Sequence, residues 1–215
     1  MVHIYYHIYS TEGVEFIIDE QLSLIKKYIN VPYTLDIGIS LPSENVSIEN
    51  ILNTIYKYNP TIRDVRAWGN EFVTIDLIEK DKQKFGDFDY ILYLHTKGAS
   101  KLNDANYSKL EDWRHFMNYF NIEKCIDAFK IFEKSDFNTY GVHYISSNAP
   151  HYSGNFWWAK SSYLKTIETT HINKKIRFDA EVKYLPYGKN WNPYSAFNPD
   201  LNLYTTEIKR EQYAI

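Results

Sequence analysis

The stretch Tyr90-Ile91-Leu92-Tyr93-Leu94, followed at once by His95-Thr96-Lys97-Gly98, decides how this chain is read. An almost wholly apolar run with no polar alternation marks a strand covered on both faces, which places it at the centre of a sheet flanked by helices. On its amino-terminal side, Val2 to Tyr9 is rich in Ile and Tyr and too short for a helix, so it reads as another buried strand ending near Ser10 and Thr11. Thr11 is placed to cap a helix. From Glu12 to Ile29, the residues Val14, Ile17, Ile18, Leu22, Ile25 and Ile29 recur at three- and four-residue steps and predict that helix, with one apolar face. Tyr33 to Ile39 reads as a strand, Ser47 as the cap of a helix carrying Ile48, Ile51, Leu52 and Ile55, and Ile62 to Ala67 as a third strand. A helix from about Asn70 to Lys84 closes the approach to Tyr90.

Beyond Gly98 two helical stripes are found, Leu110, Trp113, Phe116, Met117 and Phe120, then Ile122, Cys125, Ile126, Phe129 and Phe132. Tyr140 to Ile145 and Phe156 to Ala159 read as later strands, and the segment after Leu185 has weak periodicity. The alternation predicts an α/β fold over residues 1–215, a single domain with a central, mostly parallel mixed sheet flanked by helices. Neither an internal repeat nor a low-complexity linker argues for a boundary. In such sheets ligands bind outside the carboxyl ends of the strands, which directs attention to Tyr9–Thr11, Trp68–Glu71 and His95–Lys101.

Composition restricts the partners. With 24 basic against 27 acidic side chains and no long basic run, the chain is no nucleic-acid reader. The single cysteine, Cys125, has no partner for a disulfide and fits a reducing compartment as a core residue. No run approaches the roughly 20 apolar residues that span a bilayer, so a cytoplasmic protein with no transmembrane segment is expected. Aromatic residues reach 17%, a surplus that suits flat ligands such as sugars and nucleobases but also ordinary core packing.

All eight glycines are isolated, so neither the dinucleotide-binding G-x-G-x-x-G nor a phosphate loop is present. H-E-x-x-H, C-x-x-C and G-x-S-x-G are absent too, which weakens zinc protease, thiol redox and serine hydrolase readings. Three constellations remain. His95-Thr96-Lys97-Gly98 joins an imidazole, a hydroxyl, a cation and a flexible turn at a strand's carboxyl end, a combination able to receive a phosphate or diphosphate; a plain polar turn is the alternative. In His151-Tyr152-Ser153-Gly154-Asn155-Phe156-Trp157-Trp158, adjacent tryptophans on a strand point to opposite faces, so one can face a ligand while the other packs. Arg177-Phe178-Asp179-Ala180-Glu181 carries two carboxylates that would equally suit a helix start. The one literal D-x-D, Asp87-Phe88-Asp89, precedes the strand and belongs to a solvated turn at the opposite end.

The strings Tyr90–Gly98, Trp113-Arg114, His151–Ala159 and Arg177 with Glu181 together resemble a group of small GT-A-type glycosyltransferases related to the rhamnan-synthesis proteins, over roughly residues 1 to 190. Within that group the chain is most similar to amino-terminal domains of multidomain enzymes from chlorella-type viruses, which act on capsid glycans. The resemblance implies a GT-A (Rossmann-like) fold, a UDP-sugar donor, a divalent cation such as Mn2+, and transfer of a hexose-type sugar to a hydroxyl of a glycan acceptor with retention of configuration. On that basis Tyr9, Ser10, Trp68, Asn70, Glu71, Thr74, Thr96 and Lys97 would bind the nucleotide, with His95 at the metal. His151, Gly154, Asn155 and Trp158 would surround the sugar, and Asp179 and Glu181 would be catalytic. His95-Thr96-Lys97 stands where such enzymes carry a D-x-D. One lysine gains about 4 kcal/mol against a unit charge near 4 Å at an effective dielectric near 20, too little for a diphosphate, so a second cation is expected. The alternative function is a non-catalytic carbohydrate-binding domain.

Overall fold

A computed structural model describes residues 1–42, 47–147, 149–169 and 182–214. Its core is a seven-stranded sheet of order β3-β2-β1-β4-β8-β5-β9. These strands are β1 (Val2–Tyr9), β2 (Tyr33–Leu41), β3 (Thr61–Ala67), β4 (Tyr90–His95), β5 (Thr139–Gly141), β8 (Trp157–Lys160) and β9 (Pro193–Ser195). The first four run parallel, β8 is antiparallel to both β4 and β5, and β9 lies parallel to β5. A separate hairpin pairs β6 (Tyr144–Ile145) with β7 (His151–Tyr152). The α/β architecture is therefore the one the alternation predicted, with the apolar run of β4 in the interior of the sheet.

The two-residue period of the strands sorts side chains onto two faces. Ile4, Tyr6 and Ile8 of β1, Leu92 and Leu94 of β4 and Trp158 of β8 join one buried cluster. That layer is completed by α1 (Glu15–Tyr28), α2 (Glu49–Ile55), α4 (Tyr107–Asn118) and α5 (Cys125–Lys134). Tyr5, Ile91, Tyr93 and Trp157 form the other cluster with α3 (Phe72–Asp81) and α6 (Ser161–Leu164). Between α4 and α5 the chain makes one π-helical turn over Tyr119–Glu123, where the Asn121 carbonyl accepts the Trp158 indole N–H at 2.8 Å. Cys125 is buried, its thiol pushed up to about 11 by burial.

Two local expectations change. Thr11 does not cap α1, which starts without a side-chain cap; its hydroxyl instead donates to the Ala99 carbonyl at 3.0 Å, tying the β1 loop to the β4 loop. Strand β9, unseen in the periodicity, is a three-residue edge strand beginning with proline, a setting in which a missing N–H is tolerated. Asp87 and Asp89 lie ahead of β4, where Asp89 accepts the Gly86 N–H at 2.7 Å and contacts His3 at 3.1 Å.

Candidate functional site

A cleft of about 470 Å³ opens at the carboxyl ends of β1 and β4, lined by His7, Tyr9, Asn70, Glu71, the segment from His95 to Lys101, Asp104, Asn106, Leu110 and Tyr204. Its floor is set by strand register. His7 and His95 are paired positions on adjacent parallel strands, so both rings leave the sheet on the α3 side. The Thr74 hydroxyl on α3 meets His7 Nδ1 at 3.0 Å, and Ser40 Oγ on β2 meets His7 Nε2 at 3.3 Å.

Glu71 joins the floor to the later half of the chain. It precedes α3, where the Asn70 side-chain oxygen accepts the Phe72 N–H at 3.0 Å. Glu71 Oε2 accepts from Tyr93 Oη at 3.1 Å and from Asn155 Nδ2 at 3.0 Å, and lies 3.3 Å from His95 Nδ1. Asn155 in turn accepts the Trp157 indole N–H at 3.2 Å, and the His95 ring meets Phe156 edge-on at 4.9 Å. Asn155 adopts φ 58°, a left-handed conformation its short polar side chain tolerates.

The loop after β4 is pinned from both sides. Thr96 donates its backbone N–H to the His7 carbonyl at 3.0 Å, and its hydroxyl accepts the Tyr9 N–H at 2.9 Å. Gly98, at φ 91°, makes the turn that leads into the rest of the wall. Behind it, Arg114 is wholly buried, gripping Glu20 with two hydrogen bonds of 3.1 Å and donating to the Lys97 carbonyl at 3.2 Å. Burial opposes charge on both partners, yet hydrogen bonds from His115 and Arg114 hold the Glu20 carboxyl below its ordinary range, and Glu20 raises the Arg114 guanidinium. Arg114 is thus a fastening for the loop.

Of the residues singled out in the sequence, Tyr9, Asn70, Glu71, His95, Thr96 and Lys97 line the cleft, and Asn155 touches it through Glu71. Others are placed elsewhere. Thr74 is fully buried against His7. Ser10 is buried and lines a neighbouring hollow with Thr11, Gly13, Pro42 and Ser47. Trp68, at φ 57° and 75% exposed, stands outside the cleft lining. His151 belongs to the β6–β7 hairpin, its Nδ1 2.8 Å from the Ala149 carbonyl. Gly154 backs onto α4, where a Cβ would stand 2.4 Å from Met117 Sδ.

The expectation that one tryptophan faces a ligand is corrected. Trp157 and Trp158 do point to opposite faces, but β8 lies between β4 and β5 and both faces are covered, leaving each ring 0% exposed. Asp179 and Glu181, with Arg177, lie outside the described residues. Sequence reasoning missed His7 and Tyr204: the first looked like one more strand residue, and the second belongs to a segment without periodicity; Lys101 fell within the His95–Lys101 loop that the strand rule marked, without being singled out.

The fold and cleft define an α/β protein with a polar site at the carboxyl ends of its parallel strands. Residues 3–184 match the family model DUF8361, a domain of unknown function, and the chain belongs to that family. No curated protein matches the chain. Among solved structures it is similar to the 2-C-methyl-D-erythritol 4-phosphate cytidylyltransferase (IspD) of Francisella tularensis, at 11% identity and a TM-score of 0.43, covering 99% of this chain and 96% of that one. Among the described residues no helix is long and apolar enough to cross a membrane.

Proposed function

We propose that this protein is a glycosyltransferase that moves a hexose-type sugar from a UDP-sugar to a glycan hydroxyl. The observation carrying the reading is the cleft at the carboxyl ends of β1 and β4, which holds two cations, Lys97 and Lys101, on one short loop beside the hydroxyl of Thr96. A diphosphate needs more than one positive charge, and Lys101, half-exposed and 3.7 Å from Asp104, supplies the second. Tyr9, at the end of β1, and Asn70, in the loop between β3 and α3, border the same space and would take the nucleoside. The burial of Trp157 and Trp158 removes those two rings as platforms on which a binding module could stack a sugar.

Lys97 and Lys101 would balance the charge of the UDP leaving group, and Glu71 with His95 would hold the polar floor under the transferred sugar. Asp179 and Glu181 remain the proposed catalytic carboxylates, and retention of configuration the proposed outcome. A resident Mn2+ does not fit the described residues by themselves: of the cleft's two carboxylates Glu71 is hydrogen-bonded to Tyr93 and Asn155 and Asp104 lies 3.7 Å from Lys101, the other donors are the imidazoles of His7 and His95, manganese prefers oxygen ligands, and among the described residues no group of three or more His, Cys, Asp or Glu gathers.

A thermal-shift screen of UDP, GDP and CMP, each with and without Mn2+, tests the reading. Stabilisation by UDP above the other two supports it. Stabilisation by oligosaccharides with none by UDP overturns it in favour of a binding module. Product analysis with a panel of UDP-sugars then identifies the donor.

A further inference from the structure

One wall of the cleft comes from outside the segment matched by the family model. Tyr204 lies beyond Leu201, far along the chain from the sheet loops, yet it lines the same space as Lys97. The segment carrying it is strapped along α4 and the π-helical turn. Lys209 pairs with Asp112 at 2.7 Å, Ser108 donates to Glu207 at 3.2 Å, and Arg210 grips Glu123 with hydrogen bonds of 2.9 and 2.6 Å. Leu203, Ile208 and Tyr213 are buried, the Tyr213 ring lying 5.1 Å from Phe116 and 5.3 Å from Tyr119. Three apolar anchors and three polar fastenings make this a fixed part of the wall.

The strap leaves the Tyr204 ring 65% exposed. That ring meets the buried Trp113 edge-on at 4.6 Å, and the Lys97 ammonium sits in the corner between them, 3.8 Å from the Trp113 centroid and 5.5 Å from that of Tyr204. Aromatic faces attract a cation through their quadrupoles. A lysine stem explores many rotamers in water, and a cation already confined beside a binding space loses less freedom when an anion arrives.

We propose that the strap from Leu201 to Ala214 is part of the binding site, and that Tyr204 is a positioning residue that holds the Lys97 ammonium at the cleft wall for a ligand of the diphosphate class. The inference rests on the reading of the cleft as a diphosphate site, and inorganic pyrophosphate lets the two be separated. Calorimetric titrations with pyrophosphate and with UDP are made on the unaltered protein, Tyr204→Ala, Tyr204→Phe, Lys97→Ala and the Lys97→Ala/Tyr204→Ala double variant, with Tyr204→Leu as a second bulk-retaining control on folding. Tyr204→Ala is expected to weaken pyrophosphate binding threefold to tenfold, Tyr204→Phe less than twofold, and Tyr204→Ala to add no further loss once Lys97 is gone. Equal affinity of Tyr204→Ala and the unaltered protein overturns the inference, as do losses that multiply in the double variant or an unaltered protein that binds neither anion. Tyr204-dependent pyrophosphate binding without UDP binding refutes the UDP-sugar reading and leaves the role of Tyr204 standing.

Discussion

Glu71 Oε2 lies 3.3 Å from His95 Nδ1 while accepting hydrogen bonds from Tyr93 and Asn155. One carboxylate thereby links the loop before α3, the end of β4 and the loop before β8, three segments far apart in the chain. Removing it leaves buried donors unsatisfied, each worth about 1–3 kcal/mol. Glu71→Ala is therefore expected to lower unfolding stability by about 3 kcal/mol in urea titrations. Glu71→Gln, which keeps an acceptor oxygen, should lose less than half as much. Equal losses for the two would show that the carboxylate's contacts do not hold this floor.

Arg114 is a buried guanidinium whose partner Glu20 is held below its ordinary carboxylate range. Breaking such a pair from one side costs about 3–5 kcal/mol, because it strands a charge. Arg114→Ala should fall in that range at neutral pH, and it should loosen the Lys97 loop, read as faster amide exchange over residues 96–101.

The same pair sets a pH dependence. A carboxyl whose folded pKa is depressed contributes stability that is fully present above its unfolded value of 4.5 and is lost as pH falls through the lower folded value. The stability gap between the unaltered protein and Glu20→Gln should therefore be constant near neutrality and shrink steadily below about pH 4.5 in urea titrations. A gap that widens in acid would reverse the assignment.

Lys97 carries the proposed diphosphate contact with Lys101, and His95 lies in the floor beside it. Lys97→Ala is expected to weaken UDP by about tenfold, near the 1.4 kcal/mol that one half-solvated charge supplies, and His95→Ala by severalfold. Replacing Lys97 and Lys101 together should also flatten the salt dependence of binding, since screening acts on the charges removed. UDP affinity within twofold of the unaltered protein in Lys97→Ala and His95→Ala would remove the assignment.

Gly154 combines φ 86° with a Cβ position 2.4 Å from Met117 Sδ and 3.0 Å from Trp113 Nε1. Gly154→Ala therefore suffers backbone strain and a clash in a packed core, and a loss of about 2–3 kcal/mol is expected by thermal or urea unfolding. A loss under about 0.5 kcal/mol would mean that α4 yields more readily than its packing implies.

Much of the fold was legible because local periodicity reports local burial. β1 begins and ends where the Ile/Tyr run does, and the apolar stretch from Tyr90 marks a strand covered on both faces. The rule for parallel sheets directs attention to loops of which Tyr9, Asn70, Glu71, His95, Thr96 and Lys97 line the cleft, so these positions can be marked from the order of strands and helices alone. Trp158, Thr74 and Ser10 could not be sorted this way. A side chain at a strand end or a helix start faces either a ligand or a neighbouring element, and burial by that neighbour depends on residues distant in the chain. For Trp158 the neighbour is the π-helical turn at Asn121, and for Thr74 it is His7.

The sequence by itself determined the alternation of strands and helices, the central place of Tyr90–Leu94 and the loops that gather at the carboxyl ends of the strands, because each depends on patterns a few residues long. Only the tertiary structure decided which of those side chains share a space. Strand register set His7 beside His95, the Asn155 turn brought its amide to Glu71, and ion pairs along α4 carried Tyr204 to Lys97. Those contacts join residues tens to more than a hundred positions apart, and no local period encodes a distance of that kind.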